Sequence, residues 1–188
     1  MLFEELITVL DPEPHPAPLN MAVDEMLLRS ASVPCLRVYR WKRPSVSFGY
    51  FSRHAEVARE WPGRDLVRRW TGGGVVPHGE DVTYTLVLPL DCPLVGMGAP
   101  ELYRLIHERI ATVLGEGGTL AGSAAARVSD ACFENPAMHD VLYGGRKVAG
   151  AAQRRTRSGL LHQGTVVRVV LWKTAQPGVD GNRKGDRG

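Results

Sequence analysis

The chain has 188 residues, a hydrophobic fraction of 44% and a formal net charge of +3. This length suits one domain with an apolar core, and the small net charge argues against a nucleic-acid-binding protein. The three cysteines, Cys35, Cys92 and Cys132, form no C-x-x-C pair, which argues against a disulfide framework and favours free thiols in a reducing compartment. Because we find neither a secretory signal nor an apolar run of roughly 20 residues, we expect a cytoplasmic protein without a membrane partner.

The predicted elements follow one another without a regular strand–helix–strand rhythm. The prolines within 11–18 predict a loop, and Asn20 is expected to cap the helix that follows. Hydrophobic periodicity then predicts strands at 35–41, 46–50, 82–88 and 160–171, helices at 55–61 and 100–114, a hairpin at 139–149 and a loop at 115–123. We therefore expect an α+β fold with a mixed β-sheet and flanking helices. The polar, glycine-rich composition of 172–188 predicts a disordered tail.

The most unusual segment is Arg68-Arg69-Trp70-Thr71-Gly72-Gly73-Gly74, with His78 just beyond it. Adjacent glycines cost backbone entropy and are usually kept where the chain bends sharply or lies close against another group. Backbone N–H groups beside two guanidinium groups suit a phosphate or a carboxylate. A plain loop with solvated arginines explains the composition equally well, and the spacing matches neither a Rossmann turn nor a P-loop.

Three further side chains are candidates for chemistry. Lys147 lies in a segment rich in glycine and alanine, where it could point into a cleft, although a solvated hairpin lysine is the more ordinary explanation. Cys132 could be a nucleophile if a nearby cation lowers its pKa, against the simpler explanation of an inert thiol. His162 interrupts an apolar strand, for which a hydrogen-bonded structural histidine is the usual explanation.

Taken together, five segments resemble the lipoate–protein ligase and octanoyltransferase family, within the biotin/lipoate ligase superfamily. These segments are Asn20-Met21-Ala22-Val23-Asp24-Glu25, Arg68-Arg69-x-x-Gly72-Gly73-Gly74-x-x-x-His78, Asp81-Val82-Thr83-Tyr84-Thr85, Gly145-Arg146-Lys147-Val148-Ala149-Gly150-x-x-Gln153-Arg154-Arg155 and Leu161-His162-x-Gly164-Thr165. Their combination is specific, whereas a single glycine loop would not be. The resemblance implies a catalytic domain over 1–171. It fades after about Val170, whereas the catalytic domain of this family usually continues with more helix and strand, so the domain is expected to be incomplete at its C-terminal end.

The same resemblance implies an acyl chain held in a tunnel, with Lys147 beside the acyl carbonyl or the phosphate of an adenylate. The residues that it implies for acyl or adenylate binding are Arg69, Gly72, Gly73, Gly74, His78, Tyr84, Gly150, Ala152, His162, Gly164 and Thr165. No metal ligand is predicted in the protein.

Members of this family divide by chemistry. One group of octanoyltransferases carries the acyl group as a thioester on a cysteine in a Cys-Phe loop, which Cys132-Phe133 matches, and needs no cofactor. Ligases instead activate lipoate with ATP and Mg²⁺. The substrate would be lipoate or octanoate, the acceptor a lipoyl-domain protein or a glycine cleavage H-type protein, and the donor an acyl carrier protein. Transfer through Cys132 is preferred, while a ligase and a truncated, non-catalytic acyl- or nucleotide-binding remnant remain alternatives.

Overall fold

The computed structural model describes residues 2–122 and 137–167. Within these ranges the helices are Ala17–Ser30 (α1), His54–Glu60 (α2) and Ala99–Leu114 (α3). The strands are Ile7–Leu10 (β1), Cys35–Tyr39 (β2), Ser45–Phe48 (β3), Asp65–Arg68 (β4), Val75–His78 (β5), Asp81–Leu88 (β6), Gly118–Leu120 (β7), Val141–Tyr143 (β8), Arg146–Thr156 (β9) and Gly159–Val167 (β10).

Seven of these described strands form one mixed sheet in the order β1-β2-β6-β10-β9-β8-β7. Only the β1–β2 pairing is parallel, and the long strands β6, β9 and β10 form its centre. The strands β4, β3 and β5 form a second, smaller sheet. Since helices cover a mixed sheet without βαβ repeats, the expected α+β class is confirmed.

The two faces of the large sheet have different characters. One face packs against α3 and forms the main apolar core, in which Leu102, Ile106 and Leu114 contact strand residues such as Leu86 and Leu160. The other face turns toward α1, and its central positions are polar side chains rather than aliphatic ones. Because side chains alternate along a strand, β2 sends Arg37 to the α1 face and its neighbours to the apolar core.

The small sheet positions the glycine-rich segment against the large one. The strand β3 pairs in parallel with β4 and antiparallel with β5, so residues 69–74 connect two strands that lie on either side of β3. The strand β5 was not expected from the sequence, because its four residues include Pro77 and directly follow the glycines. This arrangement brings the loop at 69–74 over the α1 face of the large sheet.

Several expected elements are confirmed, and two expectations are wrong. Helix α3 begins as predicted with Pro100 in its first turn, and the hairpin between β8 and β9 turns at residues 144–145. Asn20 is not a helix cap: α1 already begins at Ala17, and the Asn20 side chain donates to the carbonyl oxygens of His15 and Arg40. The expected loop at 115–123 contains the edge strand β7.

The segment proposed as a disordered tail, 172–188, lies outside the described residues. None of the helices within 2–122 and 137–167 combines the length and the apolar character needed to span a bilayer.

Candidate active site

A cavity opens between the α1 face of the large sheet and the glycine loop. Its floor is formed by β9 and β10, and the small sheet and α1 form its walls. The residues that line it are Met21, Tyr39, Trp41, Ser47, Arg69, Gly73, Val76, His78, Thr83, Lys147, Gly150, Ala151, Ala152, Gln163, Gly164 and Thr165. The lining combines apolar side chains, such as those of Met21, Trp41 and Val76, with polar and charged ones, as is typical of a small-molecule site.

The side chain of Arg69 is hydrogen-bonded to the backbone of the glycine loop. Its guanidinium donates to the carbonyl oxygens of Gly72 and Gly74 at 3.0 and 2.9 Å, and to Ser47 Oγ at 2.8 Å. Only 7% of Arg69 is exposed, so its contacts with the loop are shielded from water. The arginine therefore fixes the loop at the edge of the cavity and also brings positive charge to its wall.

A further glycine, Gly49, allows the glycine loop to lie close to the small sheet. A Cβ placed on Gly49 would lie 2.0 Å from the carbonyl oxygen of Gly73, a distance that no side chain tolerates. The loop is further tied down by Thr71, whose carbonyl oxygen accepts from Tyr50 N and whose hydroxyl donates to Gln163. Gly49 was not selected from the sequence, because its role appears only when the loop is folded over it.

Lys147 reaches the cavity through an irregularity in β9. The pairing of β8 with β9 shifts between Val141 and Leu142, so that one extra residue, Val148, lies between Lys147 and Ala149. Strict alternation would place Lys147 on the same face as Ala149, which belongs to the apolar core. Such a bulge redirects a side chain, a feature frequent beside active sites.

The ammonium group of Lys147 is paired with a carboxylate. Its Nζ lies 2.7 Å from Asp140 Oδ2, and the two side chains are only 3% and 6% exposed. Asp140 is itself held in place because the backbone N–H of Ala137 donates to the same oxygen. A buried pair of this kind is rigid and costly to break from one side. Asp140 was missed at the level of sequence, where no motif pointed to it.

His78 connects the small sheet to the floor of the cavity. Ser47 Oγ donates to His78 Nε2 at 2.7 Å, and His78 Nδ1 donates to Asp81 Oδ2 at 2.7 Å. Burial lowers the pKa of His78, which the hydrogen bond and the charge of Asp81 only partly oppose. Burial alone would raise the pKa of Asp81, but the interactions with His78 and the hydrogen bonds from Thr165 and Gly79 lower it to about 2.

A buried ionic network anchors α1 beneath the cavity. Arg37 donates to Asp24 and Asp11 and to the side chain of Asn20, and it is completely buried. Burial raises the pKa of Asp24, opposed by the charge of Arg37 and by hydrogen bonds from its neighbours. Gln163 donates to the same carboxylate at 2.7 Å, so the network extends to the cavity floor. The role of the network is mechanical: it fixes α1 against β2, β6 and β10.

Most of the side chains selected from the sequence meet at this cavity. Those that line it are Arg69, Gly73, His78, Lys147, Gly150, Ala152, Gly164 and Thr165. Gly72 and Gly74 flank the cavity in the loop, where their carbonyl oxygens accept from Arg69.

Tyr84 and His162 are not brought to the cavity. Both side chains lie on the α3 face, where the Tyr84 hydroxyl is 3.2 Å from His162 Nε2 and the rings stack. Side chains alternate along a strand, and Thr83 and Gln163 point into the cavity, so their sequence neighbours Tyr84 and His162 point to the opposite face. Gly164 reaches the cavity through its backbone, since its other side lies directly against the Tyr84 ring. Cys132 lies outside the described residues.

Comparison with known proteins identifies the family of this fold and cavity. A family model described as "Lipoyl protein ligase A/B catalytic domain" matches residues 16–170. The chain belongs to this family. Relatives include an octanoyltransferase LipM of Moorella thermoacetica, 35% identical over 164 residues, which are 79% of this chain and 60% of the relative. A second octanoyltransferase LipM, from Kyrpidia tusciae, is 36% identical over 169 residues, which are 80% of this chain and 62% of the relative. The chain thus spans about three fifths of the length of these curated relatives.

Solved structures of this family agree. Ta0514 of T. acidophilum with bound lipoic acid is 25% identical to this lipoyl ligase-family chain with a TM-score of 0.67, over 87% of this chain and 68% of the other. A lipoate-protein ligase A bound with ATP is also 25% identical, with a TM-score of 0.65, over 87% of this chain and 66% of the other. In residues 2–122 and 137–167 of the present family member, no group of three or more metal-binding side chains is found.

Proposed function

We propose that this protein transfers an octanoyl or lipoyl group from a thioester donor to a lysine of a lipoyl domain or an H-type protein. The observation that carries the proposal is the buried ammonium group of Lys147, held by Asp140 at the edge of a largely apolar cavity. An acyl chain suits the apolar walls, and a fixed positive charge suits the oxygen of its carbonyl group, where negative charge develops during acyl transfer. The similarity to octanoyltransferases supports this chemistry over activation by ATP.

In the proposed reaction, the thiolate of Cys132 attacks the carbonyl carbon of the donor thioester. The bond from that carbon to the donor sulfur breaks, and the released thiol takes up the proton that Cys132 lost. The amine of the acceptor lysine then attacks the carbonyl carbon of the new thioester, the bond from that carbon to Cys132 Sγ breaks, and the proton lost by the amine passes to the departing Cys132 sulfur as the amide forms. Lys147 would stabilise the oxyanion in both halves, and the site residues selected from the sequence that line the cavity would hold the acyl chain. An acyl carrier protein is the proposed donor, and the cytoplasm is the proposed compartment.

A ligase reaction is the second candidate, favoured by the similarity to the ATP-bound lipoate-protein ligase A. Lys147 would then neutralise the phosphate of an acyl adenylate, and ATP and Mg²⁺ would be required. The two candidates differ in whether an acyl group reaches the protein covalently without ATP.

Intact-mass analysis separates the two candidates. The protein is incubated with octanoyl-carrier protein without ATP, and separately with lipoate, ATP and Mg²⁺. We expect a covalent octanoyl adduct in the first reaction that neutral hydroxylamine removes and that is lost in Cys132→Ala. The matched control is Cys92→Ala, because Cys92 is a free buried thiol in the apolar core. Amide formation on a lipoyl domain only with ATP would instead support the ligase.

A further inference from the structure

Three side chains in the wall of the cavity form a hydrogen-bonded line. Ser47 Oγ lies 2.7 Å from His78 Nε2, and His78 Nδ1 lies 2.7 Å from Asp81 Oδ2. A hydroxyl, an imidazole that can accept its proton, and a carboxylate that orients the imidazole are the recognised signature of an activated nucleophile. The three residues come from different strands, since Ser47 is in β3, His78 ends β5 and Asp81 begins β6.

The hydrogen-bond partners assign the tautomer of the imidazole. The carboxylate of Asp81 can only accept, so Nδ1 of His78 bears the hydrogen and Nε2 is left as the acceptor for Ser47. Asp81 also accepts from the hydroxyls of Thr83 and Thr165, which fix the carboxylate in one orientation. Burial lowers the pKa of His78, so at neutral pH this imidazole is unprotonated and able to act as a base.

The surroundings favour a negative charge on Ser47. Arg69 donates to Ser47 Oγ at 2.8 Å, so the attacking oxygen has a cation on one side and a base on the other. The Trp41 indole stacks on the His78 ring at 4.0 Å between centroids and excludes water from that face. Ser47, His78 and Arg69 all border the cavity, so a ligand in it can reach the hydroxyl.

We propose that Ser47, His78 and Asp81 form a nucleophilic triad that gives this protein a second activity, the hydrolysis of medium-chain acyl esters and thioesters. Ser47 Oγ attacks the carbonyl carbon while its proton passes to His78 Nε2. The bond to the alcohol or thiol breaks, and His78 returns the proton to that leaving group. Water then loses a proton to His78 Nε2 and attacks the carbonyl carbon of the ester on Ser47. The bond from that carbon to Ser47 Oγ breaks, His78 returns the proton to Oγ, and a carboxylic acid is released. The inference rests on the proposed function only in taking the same cavity as the acyl site.

A fluorophosphonate probe and p-nitrophenyl octanoate test the triad directly. The full chain carries Cys132→Ala throughout, so that no thioester at that position contributes to the signal. We expect the probe to label Ser47, located by peptide mapping, and Ser47→Ala to lower ester hydrolysis by about 100-fold or more, the scale of a positioned general base. Asp81→Asn should lower it by a similar factor, because the imidazole then loses its fixed tautomer.

The matched control is Ser45→Ala. Ser45 is in the same strand, equally buried, and donates to the carbonyl oxygen of Arg43 rather than to a base. Hydrolysis unchanged by Ser47→Ala, or a protein whose Ser47 stays unlabelled, overturns the inference, and the labelling result stands even if a variant fails to fold. Octanoyl transfer to a lipoyl domain by the unmodified chain is measured in parallel. If hydrolysis depends on Ser47 but octanoyl transfer is absent, the result contradicts the proposed function and still supports the triad.

Discussion

Gly150 lies directly beneath the side chain of Lys147. A Cβ on Gly150 would be 2.8 Å from Lys147 Cε and 3.1 Å from both Lys147 Nζ and Asp140 Oδ1. The ion pair therefore lies over Gly150, where no side chain intervenes. The contact between Lys147 and Gly150 depends on the bulge at Val148, which directs the Lys147 side chain to the same face as Gly150.

Replacing Gly150 by alanine is expected to displace the ion pair. The added methyl group must push Lys147 Cε away, and the ammonium group then leaves its position at the edge of the cavity. Octanoyl transfer should fall by about 10-fold or more, because small displacements of a catalytic group have large kinetic effects. Steady-state transfer assays and thermal melting measure both consequences. Gly96→Ala is the control, since nothing lies within 4 Å of a Cβ at that position; equal activity of the two variants would contradict the prediction.

Removing the charge of Lys147 should be more severe. Lys147→Ala is expected to lower the rate of transfer by about 10²–10³-fold, as for the loss of one preorganised donor to an oxyanion. It also leaves the buried Asp140 without its cation, which should destabilise the fold by about 3–5 kcal/mol. Denaturant unfolding and single-turnover transfer measure the two effects separately.

Lys147→Arg is the companion that keeps the positive charge. A guanidinium is planar and wider than an ammonium group, so stability should recover more than activity does. Near-normal turnover of Lys147→Ala would remove this residue from the catalytic machinery.

The family and the long helices and strands could be predicted from the sequence, because they depend on local patterns. Hydrophobic periodicity was sufficient for α3, and the alternation of 35–41 placed the boundary of β2 within two residues. The glycine loop was recognised because three adjacent glycines are unusual in any fold. These features could be predicted since they involve neighbours in sequence.

What the sequence did not predict depends on strand register. Tyr84 and His162 belong to the same motifs as Thr83 and Thr165, but residues adjacent in a strand point to opposite faces, and only the pairing decides which face holds the cavity. The role of Asp140 could not be predicted from the sequence, because its ion pair with Lys147 depends on the bulge in β9. Ser47 could not be found because the small sheet must fold before its hydroxyl meets His78.

The contact of Gly49 with the glycine loop gives a further prediction. Gly49→Ala places a methyl group 2.0 Å from the Gly73 carbonyl oxygen, so the loop must move away from the small sheet. The hydrogen bonds from Arg69 to the carbonyl oxygens of the loop should weaken. Binding of the acyl group should weaken as a result. We expect a raised KM for the acyl donor, with a smaller change in kcat because Lys147 is unaffected. Kinetics with octanoyl-carrier protein measure this, and an unchanged KM would show that the loop does not bind the acyl chain.

The buried imidazole of His162 predicts that the fold loses stability in mild acid. Burial, aided by the charge of His107, lowers the pKa of His162 from the ordinary 6.5 to about 3. Between these two values the unfolded chain binds a proton that the folded chain does not, so the free energy of unfolding falls as the pH falls. Within that window one such group changes the free energy of unfolding by about 1.4 kcal/mol per pH unit. Above pH 6.5 the imidazole is neutral in both the folded and the unfolded chain, so its full contribution to stability is present.

Denaturant unfolding at several pH values between 7 and about 4.5 measures this dependence. His162→Phe keeps an aromatic ring against Tyr84 and should reduce the slope by about one proton. Some slope remains, because burial also lowers the pKa of His107. A slope that His162→Phe leaves unaltered would mean that His162 is protonated in the folded chain, in conflict with its burial next to His107 and Tyr84.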